Sequence, residues 1–245
     1  MIVFCDEVGY AAISSSCLVC AVAVEPGHPK IKGVKDSKQL SKQKREELYD
    51  TIASQLEYSF CGASPKKIEQ LNIHYARYEA MRIAVEKLAR RGIKIDKVIV
   101  DGKFTIPNLN FPQEAVIKAD AILWEAGAAS ILAKVKRDRM MADLAKIEKY
   151  SHYDWENNAG YFVEKTHKWG IIEYGPTNLH RINFGYFQYC LYCHEKYNEF
   201  LGQGKTLEDY REYEKEEEMK QGKSFYMIWK ERPSLWAEIK QGEKK

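Results

Sequence analysis

Acidic residues stand directly behind three short apolar runs, and that pattern limits what this chain can fold into. Asp6 and Glu7 follow MIVFC, Asp101 follows KVIV and Asp120 follows AVIKA. Runs of this length, rich in Val and Ile, read as buried strands. An acid at the end of such a strand emerges where the loops gather, at one edge of a sheet. A single Asp in that position is commonly a helix cap or a turn residue. Four carboxylates delivered the same way point to one shared site. Asp6 and Glu7 are neighbours, however, and neighbours in a regular strand face opposite sides. The pair reaches a common site if the strand ends or bulges there, a distortion that Gly9 permits.

Between these runs the spacing is helical. Strands are expected at residues 1–5, 17–24 and 97–100, with another apolar stretch at 115–118. Ser41 is a candidate N-cap for a helix reaching Leu56, with Leu48 and Ile52 at helical spacing. A second helix is expected over about 73–91, with Ala76, Ala80, Ala84 and Leu88 on one face and Gly92 as its C-cap. A third should carry Ala121 to about Lys146, where Ala126, Gly127, Ala128 and Ala129 allow close approach to a sheet. Strands alternating with helices indicate an α/β fold, a mixed central sheet flanked by helices. Residues 1–185 read as one domain. Residues 186–245, Tyr-rich and then strongly charged, read as a helical C-terminal appendage that packs on it or trails from it, with a disordered tip past Gln241.

Four carboxylates without an accompanying His or Cys make a site for a hard cation. Oxygen ligands favour Mg²⁺ or Mn²⁺ over zinc. Two such ions about 4 Å apart suit phosphodiester hydrolysis, one generating the nucleophile and the other stabilising the leaving oxygen. A nucleic-acid partner is compatible with the net charge of +3 and with Lys and Arg clustered at 30–45 and 134–139, although acids dominate 208–218. With 45% apolar residues and a mean hydropathy of -0.51, the chain reads as an ordinary soluble protein. No apolar run approaches the roughly 18 residues that span a bilayer. The N-terminus meets a charge almost at once, so no export signal is expected. The six cysteines are then expected as free thiols in a reducing, cytoplasmic setting. Cys17 and Cys20 read as buried strand residues, and Cys190 and Cys193, followed by His194, lack visible partners for a zinc site.

Six blocks stand in order along residues 1–185. They are CDEVG (5–9), KDSKQLSKQKREELYDTI (35–52), LNIHYARYEAMRIAVEKL (71–88), VIVDG (98–102) and IKADAILWEAGAASILAKVKRDRMM (117–141), then GY at 160–161 with His167 and YGPTNLHRINF (174–184). In content and order they resemble the ribonuclease HII family, whose blocks read VDEAG, DSK-K-LS, LNI..A...AM..A...L, a strand ending in DG, K-G/A-D with AASILAK and RD, and GY...H...YG...HR.SF. The resemblance implies an RNase H-like fold for residues 1–185. It implies a metal-dependent endoribonuclease that hydrolyses the RNA strand of RNA–DNA duplexes, leaving 5′-phosphate and 3′-hydroxyl ends. A DNA duplex with embedded ribonucleotides is a further candidate substrate.

The same resemblance assigns residues. Asp6, Glu7, Asp101 and Asp120 would hold two Mg²⁺ or Mn²⁺ ions, with Asp6 bridging both. Gly9, Tyr10 and Ala11 match the loop that reads the 2′-hydroxyl. Asp36, Ser37 and Lys38 match the DSK motif, where Lys38 would meet phosphate and the other two would order the loop. Tyr161 matches the tyrosine that packs on the sugar beside the scissile junction. Lys134 and Arg137 are candidates for phosphate contact or for a solvated helix face. Asp138 is expected in a structural pair with an Arg, His180 and Arg181 as anchors for the C-terminal region, and His167 as a buried imidazole.

Two departures from the family pattern matter. Gly9-Tyr10-Ala11 stands where the family has Gly-Arg-Gly, which removes a bidentate phosphate contact and adds a Cβ where backbone approaches sugar. Tyr10 can instead stack on a sugar or base. Metal chemistry is therefore expected to persist while the preference for a single embedded ribonucleotide weakens. Phe162-Val163 follows Gly160-Tyr161 where the family tends to Gly-Thr, and His167 falls about one residue late. The DE motif begins at residue 6, so the N-terminal extension of the ribonuclease HIII branch is not expected. The tail shows no clear sliding-clamp motif, and a monomer is the default expectation. Rival readings keep the fold but change the substrate to branched DNA or double-stranded RNA, or make the chain a non-catalytic hybrid-binding protein. Clustered negative charge facing phosphate argues against the latter.

Overall fold

The computed structural model describes residues 1–163 and 165–231. Strand β1 (Ile2–Val8) is followed by β2 (Cys17–Val24), helix α1 (Lys42–Gln55), β3 (Glu57–Ala63), α2 (Pro65–Arg90), β4 (Lys97–Asp101) and β5 (Gln113–Val116). These strands form one sheet in the order β3-β2-β1-β4-β5. β1 pairs antiparallel with β2 and parallel with β4, so the sheet is mixed. Period-two alternation divides the strand residues between two cores. Val3, Cys5, Cys17, Val19, Ala21 and Ala23 meet Ala76, Ala80, Met81, Ala84 and Leu88 of α2 on one face. Phe4, Cys20, Val22 and Val24 meet Leu48 and Ile52 of α1 and the small residues of a later helix on the other. The expected α/β architecture, a mixed sheet flanked by helices, is what the chain adopts.

Several element boundaries differ from expectation, each for a local reason. β1 does not stop at residue 5; it pairs with β2 as far as Val8↔Leu18. β3 was not expected, because its EYSFCGA sequence buries only Ser59 and Ala63 and shows little apolar period. α2 starts eight residues earlier than the Ala-rich face suggests, capped by Ser64 with Pro65 in its first turn. Asn72 breaks it with φ 59°, and the Asn72 side chain accepts from the backbone N–H of His74 and Tyr75, so a fresh helix start lies at the expected residue 73. The third expected helix is two: α3 (Ala119–Ile122) and α4 (Trp124–Ala145), parted at the extended residue Leu123.

After α4 come α5 (Trp155–Asn158), α6 (His167–Tyr174), α7 (Gly185–Gly202), α8 (Leu207–Gln221) and α9 (Phe225–Lys230). Phe187, Tyr189, Tyr210, Phe225 and Trp229 of the last three share a third core with Ile13, Met141, Tyr153, Trp155 and Ile171. The appendage up to Lys230 therefore lies against the preceding domain. The tip past Gln241, expected to be disordered, lies outside the described residues. Cys17 and Cys20 are buried on opposite faces of β2, and Cys190 and Cys193 are buried in α7. Among the described residues no helix is long and apolar enough to cross a membrane.

Candidate active site

The sheet's alternation decides where each acid points. Asp6 follows Phe4 in parity and faces the α4 side; Asp101 follows Ile99 in parity and faces the same way from the adjacent strand. Asp120 joins them from the first turn of α3, four residues past the end of β5 rather than at a strand end. Gly127 of α4 makes that approach feasible: a Cβ there would lie 3.3 Å from the Asp120 carbonyl oxygen and 3.4 Å from the Lys35 carbonyl. One carboxylate oxygen from each of Asp6, Asp101 and Asp120 lies within 4.8 Å of the others.

Glu7, the fourth expected carboxylate, is not part of that group of three, although it lines the same cavity as Asp6 and Asp101. β1 neither ends nor bulges at the Asp6-Glu7 pair, so Glu7 has the parity of Val3 and Cys5 and faces α2, where Arg77 Nη1 donates to its Oε1 at 2.7 Å. The β1–β4 pairing, however, ends at Cys5↔Val100. Beyond that point the sheet edge is open on the β4 side, and the negative charges of Glu7 and Asp101 act on each other and on Asp6. The expected distortion is not seen: β1 stays paired with β2 as far as Val8, and only its pairing with β4 ends, one residue before Asp6 and Asp101.

Electrostatically the cluster is unbalanced. Burial pushes the Asp6 carboxyl well above its ordinary range; Glu7, Asp101 and Asp120 push the same way, against a hydrogen bond from Ser130. Burial also raises Glu7, opposed by Arg77, and raises Asp101, opposed by the Ala119 N–H that donates to its Oδ1 at 2.7 Å. Among the described residues the Glu7 Oε2 atom, which is buried, has no hydrogen-bond partner. All-oxygen donors, crowded negative charge and an orphaned carboxylate oxygen fit a hard divalent cation.

Arg77 was not singled out from sequence, because nothing in LNIHYARYEAM marks it apart from other helix arginines. It neutralises one of the four acids, so its removal should raise the site's net negative charge by one. Arg77→Gln is expected to lower the Mn²⁺ concentration for half-maximal binding, read by calorimetry, by about three- to tenfold. Weaker binding would instead mean that Arg77 holds Glu7 in its liganding position.

The acids open onto a cavity of about 420 Å³ lined by Asp6, Glu7, Asp101, Gly9, Tyr10, Ala11, Ser37, Lys38, Arg45, Ser130, Lys134 and Tyr161, together with Val8. Most of the expected substrate residues are therefore gathered at one place. Ser37 Oγ lies 2.8 Å from Ser130 Oγ, which joins the DSK turn to α4 beside Asp6. Asp36 accepts from the Lys38 N–H and caps the short 3-10 turn at Ser37–Gln39; it is not among the lining residues. Lys38 is largely exposed, its Nζ 3.9 Å from Asp120. Lys134 donates to Asp138 at 2.7 Å, and Arg45 lies 3.9 Å from the same acid, the Arg pair expected for Asp138.

Arg137 departs from the expectation of phosphate contact. Its side chain is 1% exposed, and its guanidinium donates to the carbonyls of Ser14, Ser16 and Ala159. It is spent on backbone. Arg181 behaves similarly, donating to the Ser15 and Tyr10 carbonyls. Together these arginines clamp the connector between β1 and β2, which contains Gly9, Tyr10 and Ala11. Gly9 is compelled: its φ is +80°, and a Cβ would come within 2.2 Å of Arg137 Nε. Ala11 is exposed, and the Tyr10 ring lies under Arg77 at 5.0 Å.

Tyr161 is held from three sides. Its hydroxyl accepts from the Gly9 N–H at 3.1 Å, Arg137 lies over its ring at 5.5 Å, and its carbonyl accepts from His167 Nδ1 at 2.8 Å. That bond sets the His167 tautomer, leaving Nε2 to accept from Trp155 and from His180 Nε2. His180 Nδ1 in turn accepts from the Thr177 N–H. Burial lowers His167 to about 4 and His180 to about 3, so both imidazoles are neutral near pH 7. His167 is thus a buried, hydrogen-bonded support, as expected from its place in the sequence.

Comparison with known proteins places this arrangement. The family model for Ribonuclease HII matches residues 5–187. The chain is 40% identical over 178 residues to the ribonuclease HII of Desulforamulus reducens, covering 72% of this chain and 85% of that protein. It is 42% identical over 185 residues to the ribonuclease HII of Borrelia hermsii, covering 75% and 98%. The crystal structure of ribonuclease H2 from Pyrococcus horikoshii matches with a TM-score of 0.65 at 24% identity, over 80% of this chain and 98% of that one, a likeness of fold.

Proposed function

Because the chain belongs to the ribonuclease HII family, we propose that Asp6, Glu7, Asp101 and Asp120 form its catalytic centre and hold two divalent ions, Mg²⁺ or Mn²⁺. The protein is a ribonuclease H, an endoribonuclease of a divalent-metal-dependent family with an RNase H-like fold. The observation that carries the assignment of the site is the convergence of Asp6, Asp101 and Asp120 within 4.8 Å at an open sheet edge beside Glu7. When bound, divalent ions at such a carboxylate set supply the Lewis acidity and the activated water that phosphodiester hydrolysis needs.

The remaining work falls to the chain's own residues. Lys38, largely exposed at the cavity, is placed to meet substrate phosphate, and Lys134 can turn from Asp138 toward the backbone of the same strand. The Gly9–Ala11 backbone, clamped by Arg137 and Arg181, lies against the ribose beside the scissile bond. Tyr161 closes the far side of that sugar. The substrate is the RNA strand of an RNA–DNA duplex, cut to 5′-phosphate and 3′-hydroxyl ends. Residues 1–185 make up the catalytic domain and 186–245 its helical extension. The protein works as a cytoplasmic monomer.

Tyr10 in place of the family's Arg weakens recognition of a single ribonucleotide within DNA. Its carbonyl is fixed by Arg181 and its ring is under Arg77, so no guanidinium extends from this position to phosphate. Cleavage of two labelled duplexes in Mg²⁺ and in Mn²⁺, one with a single ribonucleotide and one with a continuous RNA strand, tests this. The expected result is cleavage of the continuous hybrid with at least about tenfold lower kcat/KM on the single ribonucleotide, the loss of one charge-assisted contact, and none by Asp120→Asn. Equal cutting of both would refute the weakened recognition; cutting of neither would move the site to another substrate.

A further inference from the structure

The Phe162-Val163 departure and the appended helices meet in one feature. Phe162, directly after Tyr161, stacks on Tyr186 of α7 with centroids 4.6 Å apart and planes 12° from parallel. Tyr186 stacks in turn on Tyr226 of α9 at 4.8 Å and 29°. Three rings thus run from the cavity-lining tyrosine's neighbour to the last described helix. A Gly at position 162, the family's tendency, has no ring to begin such a stack.

A second tie reaches the same segment from the same source. Lys168, adjacent to the His167 that holds the Tyr161 carbonyl, donates to Glu214 of α8 at 2.5 Å, with both side chains buried. Tyr226 and Glu214 lie beyond residue 187, where the family model ends. Both ties land within seven residues of Tyr161. They are built from different chemistry, one from ring stacking at Phe162 and one from a buried ion pair at Lys168.

We propose that α7–α9 form a positioning brace for Tyr161, and that Tyr186, Tyr226 and Glu214 are positioning residues that set how its ring meets the substrate sugar. The inference rests on the reading of Tyr161 as a sugar-contacting residue. The brace adds a hold from α7–α9 to a segment that Gly9, Arg137 and His167 already grip from the catalytic-domain side, next to the positive-φ turn at Ala159 and Gly160. Rings with broad contact faces and few rotatable bonds make a stiff link of this kind.

A double-mutant cycle tests it. Tyr226→Leu, Tyr226→Phe, Tyr161→Ala and the Tyr161→Ala/Tyr226→Leu pair are assayed in the full chain for kcat and KM on a continuous RNA–DNA hybrid, with melting followed by circular dichroism. Tyr226→Leu is expected to lower kcat/KM by roughly three- to tenfold in the parent and not at all in the Tyr161→Ala background, because coupled residues are non-additive. Tyr226→Phe, which keeps the ring, should restore the parent value. An equal loss in both backgrounds, or no loss from Tyr226→Leu while Tyr161→Ala is impaired, overturns the brace alone. If Tyr161→Ala is fully active, the reading of Tyr161 fails and the brace falls with it. A merely structural role would lower the melting temperature and kcat/KM alike in both backgrounds.

Discussion

Asp6→Asn is expected to abolish hydrolysis and, without metal, to make the protein more stable. Asp6 is buried beside Glu7, Asp101 and Asp120, and with no cation present its charge is a cost to the fold. An amide keeps the shape and removes the charge. kcat on a continuous hybrid should fall by at least about 10³-fold, roughly 4 kcal/mol of transition-state stabilisation. In EDTA the variant should gain about 1 kcal/mol, which for a chain of this size is roughly 2–4 °C in Tm.

The pH dependence has a definite sign. A carboxyl whose folded pKa is raised binds its proton more tightly in the folded state. Its penalty is absent below the ordinary carboxyl range and grows as pH rises through the raised folded value. The metal-free parent should therefore lose stability over that window more steeply than Asp6→Asn. Calorimetry from pH 4 to pH 8 in EDTA reads the difference. A variant that still cuts in Mn²⁺ would remove Asp6 from the chemistry, and one that melts lower than the parent in EDTA would remove charge repulsion from the account.

The second large effect concerns Arg137. Arg137→Lys keeps the charge but offers one ammonium where a planar fork serves the Ser14, Ser16 and Ala159 carbonyls. Leaving buried acceptors without a donor costs about 3 kcal/mol, or roughly 6–12 °C in Tm. The connector carrying Gly9, Tyr10 and Ala11 loosens with it, so kcat/KM should fall as well. The contrast with Lys134 is diagnostic. Lys134→Ala should leave Tm nearly unchanged and reduce the slope of log KM against log salt by about 0.9, the signature of one lost phosphate contact. Arg137→Lys should leave that slope as it is. A reduced slope in Arg137→Lys would restore it to the phosphate contacts expected from sequence.

Much of the candidate site is legible in the sequence because carboxylates after strand-like runs are both rare in cores and local in their signal. The apolar runs before Asp6 and Asp101, and the small residues of α4, are short-range patterns that survive in the fold. β3 was not legible, since EYSFCGA faces two partly covered sides and has no apolar period. The split of α3 from α4 at Leu123 was also hidden, because no Pro or Gly marks it; the break serves the approach of Asp120 to Asp101.

What the sequence determined by itself is the inventory: four carboxylates in order, an alternating α/β layout, a DSK turn, a tyrosine after Gly160 and an aromatic tail. Tertiary structure alone decided the roles of residues that share a chemical type. Arg77, Arg137 and Arg181 are alike as letters, yet one neutralises Glu7 and two clamp the cavity-lining connector from within. The physical reason is that parity fixes which sides of a strand two residues take, while the meaning of each side depends on the helix packed there. Asp6 and Glu7 differ in role because β1 stays regular through both, so that α4 covers the face of one and α2 the face of the other.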